Sequence, residues 1–473
     1  MSNRSRMEPK RRVLLRHWPR SHRGKAGFRL AGLLWAMVVS ALPCLSFSQD
    51  LSQGEVLTVS RAIEIALKSQ PTILAARHTV KANEARVGEA QSNYYPQVNA
   101  SAAYSRVSPA PSTVGLGIVP VGGGLPSIFP SSPTPMTIGS YDLYTGSINV
   151  TQVVYDFGRT PSQVRINKLN ADASRFDLVN TQETVVFNVK QAYYNVLQAQ
   201  RNRDVAKQSV DQFQQHLDQA RGFFEVGTKS RFDVTQAEVN LSNAQVSLIA
   251  AEDQVKLAIV ALNNAMGIPN APEYGLEDAL LYTKFDLSFE DALTQAYAQR
   301  PDLLAQIKRT DASKESIALA RKGYLPELSA NGSYGYTGFD FPLQSQWSYG
   351  LTLSIPVFNG LLTRYQEMEA RGNFGTASAN EQSLRLDIYS QVQQGYVNLR
   401  DASERIFASE VSVRQARENV ELAAGRYEAG VGSPLEVTDA IVARANAEVT
   451  YTAALRDYKT AQAAIEKAIG AKQ

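Results

Sequence analysis

The chain has 473 residues, and that length alone suggests two or three domains. The 48 Lys and Arg residues slightly outnumber the 45 Asp and Glu residues, but ten of the basic residues and one acidic residue lie in the first 48 positions. Subtracting these leaves 38 basic against 44 acidic residues, a net charge of −6. This balance argues against nucleic acid as a partner.

Residues 1–48 are predicted to be a secretory signal peptide. A basic segment precedes an apolar run from Leu30 to Leu45, and small residues before Gln49 suit cleavage there. The basic segment is long, which leaves the start open between the first residue and Met7. Cys44 is the only cysteine and is expected to leave with the leader. The mature chain then has no disulfide framework and no thiolate metal site.

The mature chain repeats itself, which outweighs the estimate from length. Two motifs recur 230 residues apart, namely 66–74 at 296–304 and 94–98 at 324–328. From Ile148 to Gly267 the counterparts lie 203 residues later, so the first copy carries an insertion of 27 residues. The predicted division is a first repeat of residues 49–267 and a second repeat of residues 268–473.

Four short segments alternate apolar with small polar residues, which is the period of a strand. They span about 96–107 and 142–156 in the first repeat, and about 326–338 and 346–357 in the second. Tyrosines near their ends fit the aromatic girdle of a transmembrane barrel wall. A soluble antiparallel sheet is the alternative for any single strand, but two matching hairpins on a secreted chain favour the barrel.

Four strands cannot close a barrel. An open edge in lipid leaves backbone groups unpaired, so the wall must be shared between two or more chains. The insertion falls between the first two strands, and its content of Pro, Gly and Ser from Ser108 to Gly139 indicates a loop. We expect this loop outside the cell, because it joins two lipid-crossing strands at the end away from the helices.

Each repeat also contains a predicted helical hairpin, over about 160–267 and about 360–470. From Pro161 to Phe224 there is no further proline and one glycine. At ~1.5 Å per residue this segment would form a rod of roughly 95 Å. Apolar residues recur along it at alternating spacings of four and three, which is typical of a coiled-coil seam. The return segments alternate large residues with alanine, which allows close approach of two helices.

The tips of the two hairpins read alike. Gly227 and Gly430 suit the left-handed conformation that ends a helix. The turns around them comprise Val226, Gly227, Thr228 and Lys229 in the first copy, and Ala429, Gly430, Val431 and Gly432 in the second. Ser230 and Ser433 are the predicted N-caps of the return helices, completed by Asp233 and Glu436 as capping boxes, with Pro434 at a first helical position.

No enzyme chemistry is evident in the sequence. The mature chain has two histidines, His78 and His216, in polar helical surroundings that indicate surface positions. The glycine-rich stretch 115–126 lacks the Gly-Lys-Ser/Thr ending of a phosphate loop. We therefore predict a protein that is not an enzyme, without cofactor and without a metal site.

The duplicated Ala-Leu-x-x-x-Pro-x-x-Leu and Tyr-x-Pro-x-Val/Leu motifs and the two Gly-x-x-Ser tips resemble those of TolC-type outer-membrane efflux proteins. The resemblance covers residues 58–470. It implies an α+β membrane protein, in which a homotrimer builds a transmembrane β-barrel of 12 strands, four from each chain. A long antiparallel α-helical coiled-coil barrel would extend from it across the periplasm. A mixed collar would form from residues near 268–287 and the chain ends.

The resemblance also implies a function. The protein would be the passive exit duct of a tripartite efflux or type I secretion system. It would dock a periplasmic adaptor (membrane fusion) protein at the hairpin tips and serve an inner-membrane pump of the RND or ABC type. A non-conducting trimeric coiled-coil surface or spacer protein is the alternative, although it has no need of four alternating strands. The exported cargo and the identity of the pump stay open.

The gate of the family can be carried over by position. Its carboxylate ring matches Glu436 and Asp439, and the tyrosine of its closing network matches Tyr427. The first-copy counterparts of the two carboxylates are Asp233 and Gln236. Plain helix capping is the alternative role for Asp233 and Glu436, and it is compatible with gating. One position departs from the family, because Gly432 stands where the prototype has an arginine that ties neighbouring helices together. The sequence therefore does not decide whether the entrance rests closed.

Overall fold

A computed structural model describes residues 54–108 and 140–470. The helices are α1 Val59–Ser69, α2 Pro71–Gln91, α3 Arg159–Glu225, α4 Arg231–Met266, α5 Phe289–Gln299, α6 Pro301–Lys322, α7 Leu362–Glu428 and α8 Pro434–Ala468. The strands are β1 Val56–Leu57, β2 Gln97–Val107, β3 Tyr141–Tyr155, β4 Gly275–Leu276, β5 Glu327–Gly338 and β6 Gln344–Ser354. The predicted signal peptide and residues 109–139 of the predicted insertion lie outside the described residues.

Four of the strands form one antiparallel sheet in the order β2, β3, β5, β6. Because neighbouring residues of a strand point to opposite faces, the register separates apolar from polar side chains. One cross-strand row is Ala100, Ile148, Tyr334 and Trp347, and the adjoining row is Asn99, Asn149, Ser333 and Ser348. The hydroxyls of Ser333 and Ser348 lie 2.8 Å apart. The sheet therefore has one apolar face and one face of small polar groups.

The two longest helices, α3 and α7, have 67 residues each. At ~1.5 Å per residue each is about 100 Å long. Their return helices α4 and α8 have 36 and 35 residues. Most seam positions are buried, but Phe224 at the end of the first seam is 44% exposed, because α3 ends one residue later. No helix within the described parts of the chain is both long and apolar enough to cross a membrane.

The shorter return helices leave half of α3 and α7 to be covered by other elements. Helices α2 and α6, which the periodicity did not single out, pack there. Each begins at a proline, and the residue before it, Gln70 or Arg300, is extended rather than helical. Gly267 at the end of α4 lies against Gln70, and Gly470 after α8 lies against Arg300. As a result α2 follows on from α4, and α6 follows on from α8.

The helices pack side by side in a row with the same order as the strands. The row runs from α2 with α4, through α3, to α6 with α8, and then to α7. In the chain, β2 follows α2, β3 precedes α3, β5 follows α6 and β6 precedes α7. Sheet and helical row therefore end at the same elements, with β2, α2 and α4 on one side and β6 and α7 on the other.

A collar of extended chain crosses the row of helices near its middle and includes β1, β4 and the segment up to Thr283. Strands β1 and β4 pair in parallel, and the hydroxyl of Tyr193 on α3 lies 2.8 Å from the carbonyl oxygens of both Leu57 and Glu277. Further along, the Tyr458 hydroxyl on α8 donates to the carbonyl of Thr283 at 2.7 Å. The larger of two apolar cores among the described residues lies beneath these contacts and includes Leu57, Tyr193 and Tyr458. The collar thus ties α3 to α8.

Candidate functional site at the hairpin tips

The two tips have the same backbone hydrogen bonds. Gly227 and Gly430 have φ of 79° and 77°, in the left-handed region that favours glycine. The carbonyl of Phe223 accepts from the N–H groups of residues 228 and 229 at 2.9 and 3.3 Å. The carbonyl of Arg426 accepts from those of residues 431 and 432 at 3.0 and 2.9 Å. These bonds satisfy carbonyls that would be left unpaired where α3 and α7 end.

Both return helices begin with a reciprocal cap. The Ser230 side chain accepts from the N–H of Asp233, whose carboxylate accepts from the N–H of Ser230. Ser433 and Glu436 have the same arrangement, and Pro434 occupies the first turn. Each capping box fixes the direction in which the return helix leaves the tip.

A compact aromatic cluster lies directly behind the tips. Tyr427 is fully buried, and its ring contacts those of His216 and Phe223 at centroid distances of 4.9 and 5.6 Å. The Nζ of Lys229 lies 5.2 Å from the centroid of the Tyr427 ring, a cation–π distance. Because these residues come from α3, the first tip and α7, the cluster joins the two hairpins.

The sequence interpretation of His216 as a surface residue is wrong. Its side chain is 3% exposed, and its Nδ1 has no hydrogen-bond partner among the described residues. Burial lowers the pKa of His216, although the negative charge of Asp233 opposes that change. The Tyr427 hydroxyl also has no hydrogen-bond partner in the part of the chain that the structure describes, and burial and the Asp233 charge raise the pKa of Tyr427. Seam spacing did not identify His216, because α3 is covered on two sides and the seam describes one.

The predicted gate carboxylates have different surroundings within one chain. Asp233 is half-buried and lies near enough to His216 and Tyr427 to affect the pKa of both. Asp439 is exposed on α8, and Gln236 is exposed on α4. The structure of a single chain thus brings Asp233 together with Tyr427. Whether Glu436 and Asp439 surround a shared opening stays a prediction.

An ion pair within the second tip involves one of these carboxylates. The Nε of Arg426 donates to Glu436 Oε2 at 3.2 Å, with both side chains about half exposed. At Gly432, an added Cβ would lie 2.9 Å from the backbone nitrogen of Tyr427. A side chain therefore does not fit at Gly432 in this turn, and Arg426 supplies a cation at this tip. Sequence reasoning missed Arg426, because only the turn of the folded chain brings this residue close to Glu436 on α8.

The described residues contain no group of three or more His, Cys, Asp or Glu side chains that could hold a metal ion.

The family model for "Outer membrane efflux protein" matches residues 62–268 and 292–471. The chain belongs to the outer membrane efflux protein family. This match confirms the resemblance to TolC-type proteins on which the sequence interpretation depended.

Individual relatives of the family are similar over most of their length. The outer membrane protein TolC of Vibrio cholerae serotype O1 is 23% identical over 347 residues, which cover 70% of this chain and 77% of that protein. The Campylobacter jejuni CmeC outer membrane channel superimposes with a TM-score of 0.71 at 20% identity, covering 87% of this chain and 85% of that one. The open state of the Neisseria gonorrhoeae MtrE outer membrane channel gives 0.70 at 18% identity, covering 87% and 88%.

Membership fixes the broad function and location of the chain. It is an outer-membrane efflux protein with a TolC-like, mostly helical fold that includes some sheet. The family consists of transport channels rather than enzymes. The match supports the efflux interpretation and gives no support to the alternative of a surface spacer.

We predict that the tip cluster loosens in acid. Burial lowers the pKa of His216, so the folded state favours the neutral ring. The contribution of His216 to the stability of the cluster is therefore complete above its ordinary pKa of 6.5 and is lost as the pH falls below that value. The loss is at most about 1.4 kcal/mol per pH unit for one proton. Hydrogen exchange at the tips between pH 7.5 and 5 measures it. His216→Phe should remove the extra dependence on pH, and an unchanged dependence in this variant would assign it to other groups.

We also predict that Gly430→Val strains the second tip. Valine at a φ near 77° costs on the order of 1–3 kcal/mol, and asparagine much less, because its side chain tolerates this region. Export of a pump substrate from intact cells should therefore fall with Gly430→Val and persist with Gly430→Asn, while both assemble. If Gly430→Val loses assembly instead, the role of the tip is structural.

Proposed function

We propose that three copies of this chain form a passive duct through which a tripartite pump exports its cargo. The four sheet strands of each copy would contribute to a 12-stranded barrel in the outer membrane. The helical rows would close into a tunnel across the periplasm, with the hairpin tips at its inner end. A periplasmic adaptor and an inner-membrane pump, of the RND or ABC type, would dock there. The observation that carries this proposal is that the sheet and the helical row end at the same elements. These are β2, α2 and α4 on one side, and β6 and α7 on the other.

In lipid, the two edge strands of the sheet would need further strands to pair with. Within the described sheet, β2 and β6 each have one unpaired edge, and Val98 on β2 and Leu351 on β6 are exposed on the apolar face. In lipid, each unpaired backbone group costs several kcal/mol, and a closed barrel is the arrangement that avoids this cost. Barrels have about eight or more strands, so two or more chains are required. The family resemblance favours three.

The open ends of the helical row have apolar stripes that are exposed among the described residues. The exposed large apolar residues of α4 include Val239, Val246, Ile249, Leu257 and Val260, and those of α7 include Leu386, Tyr389, Val397, Phe407, Val411 and Leu422. On α4, four of these five lie two positions from a buried residue facing α3, which is about 200° around the helix. Their spacings of three, seven and eight are those of a second seam. A neighbouring copy that placed α7 against α4 would bury both stripes.

We predict that charges on the α4 stripe prevent assembly. Val246→Glu with Leu257→Glu places carboxylates where apolar side chains would be buried, and each lost burial costs about 1.5–3 kcal/mol. Native mass measurement in detergent should show trimers for the wild type and monomers for this variant. The matched control, Gln245→Glu with Gln254→Glu, adds the same charge at exposed positions and should stay trimeric. A stable wild-type monomer would refute the shared barrel.

We further propose that Glu436 and Asp439 of three copies surround the inner mouth as six carboxylates. Such rings favour cations, and crowding of like charges favours bound multivalent ions. Because Arg426 already pairs with Glu436, Asp439 should provide most of the effect.

We predict that Asp439→Asn reduces cation preference and multivalent-cation block more than Glu436→Gln does. The glutamine still accepts the capping bond at Ser433, so the hairpin should persist. Planar-bilayer recordings of purified protein measure both properties. Asp211→Asn removes an exposed carboxylate from α3 away from the tip and serves as the control. If the ion selectivity of every variant equalled that of the wild type, these carboxylates would act only as helix caps.

A further inference from the structure

The first tip carries a cation at the position where the second tip has a glycine. Lys229 and Gly432 are equivalent in the two copies, 203 residues apart, and the N–H of each donates to a carbonyl near the end of the preceding long helix. An added Cβ at Gly432 would lie 2.9 Å from the backbone nitrogen of Tyr427, so the second turn has no room for a side chain there. The two hairpins therefore differ at this position, and the cation belongs to the first.

The side chain of Lys229 lies against the protein. It is half-buried, whereas its neighbours Thr228 and Ser230 are exposed. Its Nζ lies 5.2 Å from the centroid of the Tyr427 ring, within the distance of about 6 Å over which the face of an aromatic ring attracts a cation. A long side chain of the first hairpin thus contacts an aromatic residue of the second.

The ring of Tyr427, rather than its hydroxyl, makes the contacts between the hairpins. The side chain is fully buried, and the rings of His216 and Phe223 on α3 lie against it at centroid distances of 4.9 and 5.6 Å. The hydroxyl has no hydrogen-bond partner among the described residues. Nearby, the carboxylate of Asp233 accepts from the N–H of Ser230 in the cap of α4. Because cation–π attraction strengthens where the ring is shielded from water, the buried ring suits the lysine.

We propose that Lys229 is a positioning residue whose cation–π pair with Tyr427 holds the two hairpins of a chain together and so keeps the inner mouth of the duct closed. The pair joins the hairpins directly behind the tips, where they would separate on opening. Three copies would contribute three such pairs. The role in closure rests on the proposed duct, whereas the contact itself does not.

The test measures the effect of Lys229→Met in three backgrounds, namely the wild type, Tyr427→Phe and Tyr427→Leu. Methionine keeps the length of the side chain and removes its charge. Planar-bilayer recordings of the purified protein, without an adaptor, give the ratio of open to closed time. Lys229→Met should raise this ratio about tenfold or more, because three pairs of the strength usual at partly exposed sites are lost together. The rise should persist with Tyr427→Phe, which has the same ring face, and vanish with Tyr427→Leu, which has none.

Two further variants serve as controls. Lys229→Arg restores a cation and should reverse most of the rise. Lys207→Met removes an exposed cation of α3 away from the tips and should leave the ratio unchanged. Hydrogen exchange at residues 429–432 of the assembled protein reports on the pair without conduction. Lys229→Met should accelerate exchange there about two- to fivefold, although the substituted residue lies on the other hairpin.

Three results would overturn the proposal. A ratio and an exchange rate in Lys229→Met that match the wild type would show that closure does not need this lysine. An equal rise in the Tyr427→Leu background would show that the lysine acts on another group. A rise with Lys229→Arg as large as with Lys229→Met would show that the cation is not the cause, and this comparison decides if Tyr427→Leu fails to assemble. Absence of conductance in the wild type, together with the expected exchange, would refute the duct and support the pair.

Discussion

The unpaired edges of the described sheet are the constraint on which the other features of the proposed assembly depend. Water pairs such an edge in a soluble sheet, but lipid offers no partner, so a chain that placed its sheet in the outer membrane would be incomplete by itself. The helical row has the same order as the sheet and ends at the same elements, so one closure would complete both layers of the proposed assembly. The exposed apolar residues of α4 and α7 would supply the burial that makes such closure favourable in water.

Local sequence patterns carry much of this fold. Alternation of apolar with small polar residues indicates strands, and the sheet occupies those segments because a half-buried strand needs that alternation. Glycine with a following serine and acid marks the tips, because the left-handed turn and the capping box depend on residues a few positions apart. These features are set within one turn of chain. They can be read from a single sequence for that reason.

Contacts between repeats could not be read in the same way. His216 has polar neighbours along the chain, but α3 lies between two hairpins, and its second covered face follows a different register from its seam. Arg426 meets Glu436 because a turn reverses the chain, and Arg300 meets the end of α8 from 168 residues away. Helix periodicity describes one face of one element. It contains no information on which element will cover the other face.

The packing between the two hairpins explains how a tip could open without unfolding the wall. An apolar cluster that includes Phe213, Tyr427 and Ile441 holds the hairpins together at the tips, and the larger core holds them at the collar. Between these regions lies a cavity of about 370 Å³ with many polar side chains in its lining, where Asn240 donates to the Thr438 hydroxyl at 3.1 Å. Water can replace such polar contacts at little cost, whereas exposing the tip cluster loses apolar burial. In the proposed duct, resistance to opening would therefore be concentrated at the tip cluster, while the collar and the seams would preserve each hairpin as the tips separate.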